Sequence, residues 1–175
     1  MGRPRLILIT GPAGSGKTTL AYALGTAIGC PVVSRDAIKE GMVAAEPGFT
    51  AATGDPLSMR TYEVFFATLE LLLRAEVTTV AEAAFAHRLW TQGLRSLTGL
   101  ADLRVVRCVV AANEARSRMR RRLVGDPTRT AHADSEHLAA PPDFIPLTVA
   151  APTLDVATDD GYRPDLATLL EFCRS

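Results

Sequence analysis

The stretch that decides the fold is residues 11–18, which read GPAGSGKT. It matches the pattern G-x-x-x-x-G-K-T, and the apolar run LILI at residues 6–9 comes shortly before it. Residues 19–24 (TLAYAL) follow it with the composition of a helix. A strand, a glycine-rich loop and a helix in this order are typical of a phosphate-binding loop.

The residue types of this loop are suited to holding phosphate. Glycines let backbone N–H groups converge on an anion without Cβ clashes, and the helix start adds the positive end of its dipole. We expect Lys17 to reach the β- and γ-phosphates of a nucleotide, and the Thr18 hydroxyl to ligate Mg²⁺. The predicted nucleotide-binding residues of the loop are Gly11, Ala13, Gly14, Ser15, Gly16, Lys17, Thr18 and Thr19.

The bulk composition predicts a single globular domain over residues 1–175. The chain is 47% hydrophobic and 22% charged, with a formal net charge of zero. No apolar run approaches the ~20 residues of a membrane span. Three widely spaced cysteines argue against a disulfide frame and for a reducing compartment. We therefore expect a cytoplasmic protein with no membrane partner. The neutral charge also argues against nucleic-acid binding through bulk electrostatics, and the oligomeric state stays open.

Strand-like and helix-like segments alternate along the chain. The predicted strands are residues 5–10, 31–34, 77–81, 103–110 and 154–157. The predicted helices are residues 16–28, 36–44, 57–75, 88–98, 113–124 and 164–173. Residues 125–150 are rich in breakers and are expected to be mobile and mostly irregular. This alternation predicts an α/β fold in which helices cover both faces of a parallel sheet, with ligands bound at the carboxyl ends of its strands.

The segment after the second strand carries a candidate base. Asp36 falls on the same sheet edge as the phosphate loop, where a carboxylate can accept the proton of an attacking hydroxyl or orient it. Lys39, one helical turn later, could hold an anionic substrate group or neutralise phosphate charge. Lys17 and Lys39 are the only lysines among 19 basic residues. The alternative is a plain helix start, capped by Ser34 or Asp36, with a solvated Lys39.

Glu82 is a candidate metal ligand because it ends the third strand, next to the phosphate loop in the expected sheet. An acid in this position can order Mg²⁺ or its waters, and it could compete with Asp36 as the base. We expect Glu82, His87 and Arg88 to line the substrate side. The alternative is that Glu82 caps the next helix and His87 is merely exposed. Trp90 is expected to be a core residue.

The helix predicted at residues 113–124 is studded with arginine. Arg118 and Arg122 lie four residues apart and therefore on one face. Guanidinium groups suit phosphate oxygens and stabilise a transferring phosphoryl group. We expect both residues to be catalytic, with Arg118 also binding the nucleotide. The alternative for each arginine is a solvated helix face. The loop that follows could fold over the ligands and exclude water.

Four segments in order resemble the small P-loop kinases of the AAA_33 or zeta-toxin-like type. They are GPAGSGKTT, VVSRDAIKEGM, VAEAAFAHRLW and ARSRMRRRL. Members of the wider group include chloramphenicol phosphotransferase, gluconate kinase and the kinase domain of polynucleotide 5′-kinases. The resemblance implies a three-layer P-loop NTPase fold like that of nucleoside monophosphate kinases, with strand order 2-3-1-4-5 and a LID at about residues 118–140. It also implies phosphate transfer from ATP to a hydroxyl.

The resemblance also assigns residue roles. The usual base of such kinases, an aspartate after the second strand, falls on Asp36, and the LID arginines fall on Arg118 and Arg122. The loop after the last strand, near Thr158, often lies by the adenine. Two positions depart from the better-known members. Glu82 stands where many carry aspartate, and a lysine stands at position 39 where polynucleotide kinases favour arginine.

Together these features predict an Mg²⁺- and ATP-dependent kinase acting on a hydroxyl of a small molecule, such as a metabolite or a sugar-like or antibiotic-like compound. Two alternatives remain. The acceptor could be a polynucleotide 5′-hydroxyl, although tracking a nucleic acid usually needs a basic stripe. The chain could instead be a regulatory ATPase whose nucleotide state switches a partner.

Overall fold

A fully parallel five-stranded sheet forms the centre of the fold in the computed structural model, which describes residues 2–52, 54–85, 88–132, 134–139 and 144–175. The strands in these ranges are β1 (Arg5–Thr10), β2 (Val32–Ser34), β3 (Thr79–Glu82), β4 (Asp102–Val109) and β5 (Thr153–Ala157). Their order across the sheet is β2-β3-β1-β4-β5, and each pair of neighbours is parallel. The predicted fold class and strand order are therefore confirmed.

Helices cover both faces of this sheet. In the described ranges they are α1 (Lys17–Ile28), α2 (Arg35–Ala44), α3 (Pro56–Arg74), α4 (Arg88–Arg95), α5 (Ala112–Gly125), α6 (Asp134–Ala139) and α7 (Leu166–Arg174). A 3-10 helix spans Pro127–Ala131. Right-handed crossovers between parallel strands bring the loops that follow them to one edge. None of the helices in the described ranges is long and apolar enough to cross a membrane.

The central strand β1 divides the hydrophobic core into two layers. Its side chains alternate between the faces of the sheet, as a strand requires. Leu6 and Leu8 join a cluster that includes residues of α3, whereas Ile7 and Ile9 join a cluster with residues of α1 and α7. All four side chains are fully buried, so the phosphate loop that follows β1 is anchored on both sides.

Polar caps fix the starts of three helices. Ser34 caps α2, Asp55 caps α3 and Asp165 caps α7, each by accepting a hydrogen bond from a backbone N–H in the first turn. The predicted start of the last helix at Pro164 is wrong, because Pro164 precedes the cap residue. Helix α1 differs from these three. Gly16 precedes it without any side-chain cap, and its first turn contains no acidic residue.

Residues 125–150 contain more regular structure than the sequence predicts. The Asp126 carboxylate accepts a 3.0 Å hydrogen bond from the Thr128 backbone N–H and starts the 3-10 helix. Arg129 then forms a bidentate pair, at 2.7 and 2.8 Å, with Asp134 at the start of α6. Elements of five or six residues are too short to show a helical period, which is why the sequence pattern missed them.

Two further element boundaries shift by two residues or more relative to the prediction. The third strand begins at Thr79 instead of residue 77 and includes Glu82, while α4 ends at Arg95 instead of residue 98. Glu82 stands in register with Ile9 of β1 and with Ser34 of β2. Its carboxylate therefore lies at the carboxyl end of the sheet, beside the phosphate loop.

Candidate active site

The phosphate loop is held in place by a close approach to α5. A Cβ atom built on Gly14 would lie 2.4 Å from the carbonyl oxygen of Ala115, and the φ angle of Gly14 is +77°. Both facts require glycine, because other residues rarely adopt this φ and none fits this space. Gly11, Ala13 and Ser15 complete the same loop, and Ser15 is fully buried. The predicted loop is therefore a packed structural element.

The N-terminus of α1 is open to an anion. It has neither a side-chain cap nor an acidic residue in its first turn, so its backbone N–H groups and its dipole are available to an oxyanion. The ammonium group of Lys17 donates a 2.9 Å hydrogen bond to the carbonyl of Pro12, which folds the side chain back over the loop. Thr18 and Thr19 occupy the first turn itself.

Two cavities meet at this loop. The α2-side cavity, of about 330 Å³, is lined by the loop and by residues of α2, α3, α4, the end of β3 and the segment 122–134. The α5-side cavity, of about 540 Å³, is lined by the loop, by α5 and by the segment after β5. The residues common to both cavities are Gly14, Lys17, Thr18 and Arg122. A group bound at these four residues is therefore accessible from both sides.

Glu82 lies on the floor of the α2-side cavity and is 2% exposed. Its carboxylate accepts a 2.6 Å hydrogen bond from the hydroxyl of Ser34 and a further one from the Thr18 hydroxyl. Burial raises the pKa of Glu82 above its usual range, although the positive charge of Lys17 acts against this. Ser34 thus caps α2, as the alternative interpretation of this segment predicts, and it also orients Glu82.

The oxygen atoms of Thr18 and Glu82 fit a magnesium ion. Mg²⁺ prefers hard oxygen ligands and is usually held by one or two protein groups, with waters and substrate phosphates completing its shell. The described residues contain no cluster of three or more His, Cys, Asp or Glu side chains that could hold a metal alone. Thr18 and Glu82 would therefore supply two protein ligands, and phosphate oxygens and waters would supply the others.

Asp36 lines the α2-side cavity and is surrounded by positive charge. Burial acts to raise the pKa of its carboxyl, but neighbouring cations outweigh this effect and lower the pKa below its usual range. They are His132 in its protonated form, Arg35, Lys17 and Arg129. The Arg35 guanidinium lies 3.1 Å and that of Arg129 3.8 Å from the carboxylate oxygens. Asp36 is therefore ionised at neutral pH, as a general base must be.

Lys39 does not present a free charge to the cavity. Its ammonium group lies 2.7 Å from the Asp55 carboxylate, and both side chains are 4% exposed. It also donates a 3.0 Å hydrogen bond to the hydroxyl of Ser58 and lies 5.7 Å from the ring centre of Phe49. The sequence predicted a cation for an anionic substrate group; the structure shows a buried ion pair at the wall of the α2-side cavity.

Only some of the arginines of α5 line the two cavities. Arg118 and Arg122 line the cavities, whereas Arg116 and Arg120 line neither. Arg118 is held by the Glu114 carboxylate at 2.8 Å and by the Thr158 carbonyl at 2.7 Å. This places its guanidinium beside Gly16, on the α5-side cavity. Arg121 also lines this cavity, although its guanidinium contacts Glu114 at 3.3 Å.

Arg129 is a site residue that the predictions left out. Its guanidinium bridges Asp134 of α6 and two carboxylates of α2, Glu40 at 3.5 Å and Asp36 at 3.8 Å. His132 lies 2.9 Å from the same Glu40. These contacts dock the segment after α5 on the helix that carries Asp36. No sequence spacing predicts them, because Arg129 and Glu40 are 89 residues apart.

Among the other predicted site residues, Thr158 lines the α5-side cavity and is 6% exposed. Arg88 is the first residue of α4, and His87 lies outside the described residues. Trp90 packs against four aromatic rings, as expected of a core residue, and its remaining surface lines the α2-side cavity.

Residues 6–140 match the sequence profile of the AAA domain family AAA_33. The chain belongs to the AAA_33 family. No curated protein matches the sequence significantly.

Solved structures agree with the AAA_33 assignment. A candidate kinase from Chloroflexus aurantiacus J-10-fl is 25% identical, with a TM-score of 0.85 and coverage of 99% of this chain and 98% of its own. The APS kinase CysC of Mycobacterium tuberculosis, solved with AMPPNP and APS, is 14% identical with a TM-score of 0.69, and each chain is fully covered. A sugar kinase from Janibacter sp. HTCC2649 is 17% identical with a TM-score of 0.61, covering 96% and 91%. This AAA_33 chain therefore has the fold of P-loop kinases.

Proposed function

We propose that this protein is an ATP-dependent kinase that transfers the γ-phosphate to a hydroxyl group of a small molecule. The observation that carries this proposal is the pair of cavities that share Gly14, Lys17, Thr18 and Arg122. A nucleotide on the α5 side and an acceptor on the α2 side would meet at these residues. Transfer between two bound substrates needs this proximity.

The α5-side cavity supplies the groups that hold the triphosphate. The loop backbone and the uncapped start of α1 offer N–H donors to phosphate oxygens. Lys17, released from the Pro12 carbonyl, adds a positive charge. Arg118 and Thr158 line the same cavity beside the loop, where they would contact the nucleotide.

Asp36 is the proposed base. It lines the α2-side cavity and not the α5-side cavity, so it faces the acceptor. Its depressed pKa keeps the carboxylate ionised and ready to accept a proton. The acceptor oxygen forms the new bond to the γ-phosphorus while the bond from that phosphorus to the β–γ bridging oxygen breaks. The hydroxyl proton passes to Asp36 and then to water, and ADP leaves.

Thr18 and Glu82 are the residues that would hold Mg²⁺. When bound, the ion neutralises phosphate charge and orients the β- and γ-phosphates. Within the chain itself, Ser34 fixes the rotamer of Glu82 through its 2.6 Å hydrogen bond. A carboxylate fixed in this way keeps its position whether or not the nucleotide is present.

Arg122 is the proposed stabiliser of the transferring phosphoryl group. It lines both cavities, and its side chain is exposed. A guanidinium between the two cavities can stabilise the negative charge of the phosphoryl group while it is transferred from the nucleotide to the acceptor. Arg118 donates to three oxygen acceptors of the protein, which hold its side chain in place. It is therefore better suited to binding the nucleotide than to moving with the transferred group.

A small acceptor and a cytoplasmic location are part of the same proposal. The α2-side cavity of about 330 Å³ suits a small molecule, and the zero net charge gives no support for a polynucleotide acceptor. All three cysteines are unpaired. Unpaired cysteines are typical of a reducing compartment. Burial raises the pKa of Cys108 to about 12 and that of Cys173 to about 11, which keeps these two thiols protonated.

The test is acceptor-dependent ADP formation from Mg²⁺ and ATP, with the phosphorylated product identified by mass spectrometry. Loss of a general base costs about 10²- to 10⁴-fold in rate, so we expect Asp36→Asn to lower kcat by this factor and to leave the affinity for Mg·AMPPNP unchanged. Asp102→Asn, at the opposite edge of the sheet, is the matched control. Full phosphotransfer by Asp36→Asn would show that the base is assigned wrongly. ATP hydrolysis with no phosphorylated acceptor, 5′-hydroxyl oligonucleotides included, would refute the kinase function.

A further inference from the structure

Four of the six basic side chains that line the α2-side cavity are already paired with carboxylates of the protein. Among the described residues, four basic side chains line this cavity and not the α5-side cavity: Arg35, Lys39, Arg129 and His132. Lys39 shows the pattern most clearly. It forms a buried pair with Asp55 at 2.7 Å, and the Ser58 hydroxyl satisfies a second of its donors.

The other three basic groups are paired in the same way. Arg35 lies 3.1 Å from Asp36, and Arg129 forms two hydrogen bonds with Asp134. The imidazole of His132 lies 2.9 Å from Glu40. Each of these basic groups therefore has an anionic partner from the chain before any acceptor binds.

This arrangement disfavours a charged acceptor. A carboxylate or phosphate ester entering the cavity would lose its water and meet mostly cations whose charge Asp36, Asp134 and other carboxylates already balance, with Glu82 as a further acidic neighbour. Hydroxyl groups face no such penalty. Paired guanidinium and carboxylate groups keep unused donors and lone pairs, and these can bond neutral hydroxyls.

The walls of the cavity favour a ring. Trp90 lines the cavity, and so do the small residues Ala83 and Ala84, whose side chains do not protrude into it. The ring of Trp90 is fixed by edge contacts with Tyr62, Phe65 and Phe85 at centroid distances of 5.3, 5.7 and 4.9 Å. A rigid aromatic surface beside polar groups suits a ligand with an apolar ring face and a polar rim.

We propose that the acceptor is an uncharged, polyhydroxylated ring compound that lies against Trp90 and binds the paired ions through its hydroxyl groups. The inference rests on the proposed kinase function and adds the charge and shape of its substrate. It assigns Asp55, Asp134 and Glu40 to specificity, since they cancel the charges that would otherwise recruit an anion.

The test compares acceptors that differ only in charge. The pairs are glucose with glucuronate, galactose with galacturonate, and myo-inositol with its monophosphates, each assayed for phosphorylated product with Mg²⁺ and ATP. The inhibition constant of each charged member against the best neutral acceptor gives a second readout. In the wild type we expect kcat/KM to favour the neutral members by about tenfold or more, the factor that corresponds to ~1.4 kcal/mol.

Asp55→Asn is the decisive variant. Asparagine is also a good N-cap, so α3 keeps its start while the negative charge that neutralises Lys39 is lost. We expect the preference for neutral acceptors to fall by about fivefold or more, as removal of a charge near the ligand implies, and the charged members to inhibit more strongly. Asp165→Asn is the matched control, because Asp165 caps α7 in the same way but bonds to Thr168 instead of to a cation of the cavity.

Asp134→Asn, which removes the partner of Arg129, replaces Asp55→Asn if that variant does not fold, and the same shift is expected. Preferential phosphorylation of the charged members by the wild type overturns the inference. An unchanged charge preference in a folded Asp55→Asn or Asp134→Asn variant overturns it as well. If no member of either charge is phosphorylated in a broad library of hydroxylated metabolites, the kinase function itself fails, and that outcome is distinct from a reversed preference.

Discussion

The side-chain hydroxyl of Thr158 donates a 2.8 Å hydrogen bond to the backbone carbonyl of Ser15. The backbone N–H of Thr158 bonds in turn to the Val109 carbonyl at 3.0 Å, which fixes Thr158 to the end of β4. The segment after β5 therefore holds the peptide between Ser15 and Gly16, whose N–H belongs to the phosphate loop. The position of the loop depends on a residue 143 positions away in the sequence.

Replacing Thr158 should weaken nucleotide binding. Thr158→Val keeps the shape of the side chain and removes the hydroxyl, so the Ser15 carbonyl loses its partner. One hydrogen bond contributes about 0.5–1.5 kcal/mol, and we expect the Kd for Mg·AMPPNP to rise by up to about tenfold. Isothermal titration calorimetry measures this directly. Thr158→Ser retains the hydroxyl and should bind like the wild type; equal affinities of the Val and Ser variants would contradict this role.

Gly14→Ala should disrupt the phosphate loop. The new Cβ would lie 2.4 Å from the Ala115 carbonyl oxygen, so either the loop or α5 has to move. Gly48→Ala is the control, because Gly48 has a similar φ of +83° with no atom within 4 Å of its Cβ position. The left-handed conformation costs each alanine roughly 1–2 kcal/mol. Chemical denaturation should show a larger loss of stability for Gly14→Ala, and only Gly14→Ala should abolish nucleotide binding. Equal losses would mean that the close approach is unimportant.

Arg129→Gln should raise the pKa of Asp36. The guanidinium of Arg129 is one of the cations that hold this pKa below its usual range, and its removal favours the protonated acid. A base must be ionised, so activity is retained at pH values above the pKa and is lost as the pH falls through it. The acidic limb of kcat/KM should therefore move to higher pH in Arg129→Gln.

NMR titration of the Asp36 carboxyl carbon provides the direct measurement, with a wild-type pKa below about 3.9, the ordinary value for aspartate. Arg121→Gln is the control, since Arg121 contacts Glu114 on α5 and is absent from the cations that act on Asp36. An Asp36 pKa that stays constant or falls in Arg129→Gln would show that Arg129 does not influence the base.

The phosphate loop and the positions of Asp36 and Glu82 could be predicted from the sequence because local rules place them. A G-x-x-x-x-G-K-T motif after a strand specifies the loop, and residues at the carboxyl ends of parallel strands meet at one edge. The strand order came from the family resemblance and is confirmed by the sheet.

The ion pairs around the α2-side cavity could not be predicted in this way. Lys39 pairs with Asp55 at the start of α3, 16 residues away in the sequence. Arg129 pairs with Glu40, which is 89 residues away. These partners are set by how α2, α3 and the segment after α5 pack, and no local spacing encodes that. The sequence therefore identified a cation at Lys39 and missed that its charge is balanced.

Glu82→Gln should raise the magnesium requirement without unfolding the protein. The carboxylate is buried and bonded to Ser34 and Thr18; glutamine keeps the size and can still accept the Ser34 hydrogen bond, but it lacks the charge that attracts a divalent cation. Changes close to a metal typically cost about 10- to 100-fold in affinity. We expect an increase of that order in the Mg²⁺ concentration that half-saturates ATP turnover, with the melting temperature maintained because burial of an unpaired charge is avoided.

Glu63→Gln, on the exposed side of α3, is the control and should change neither the Mg²⁺ requirement nor the melting temperature. If Glu82→Gln shows the Mg²⁺ dependence of the wild type, the metal is held by other residues, and Asp36 becomes the first carboxylate to test in its place.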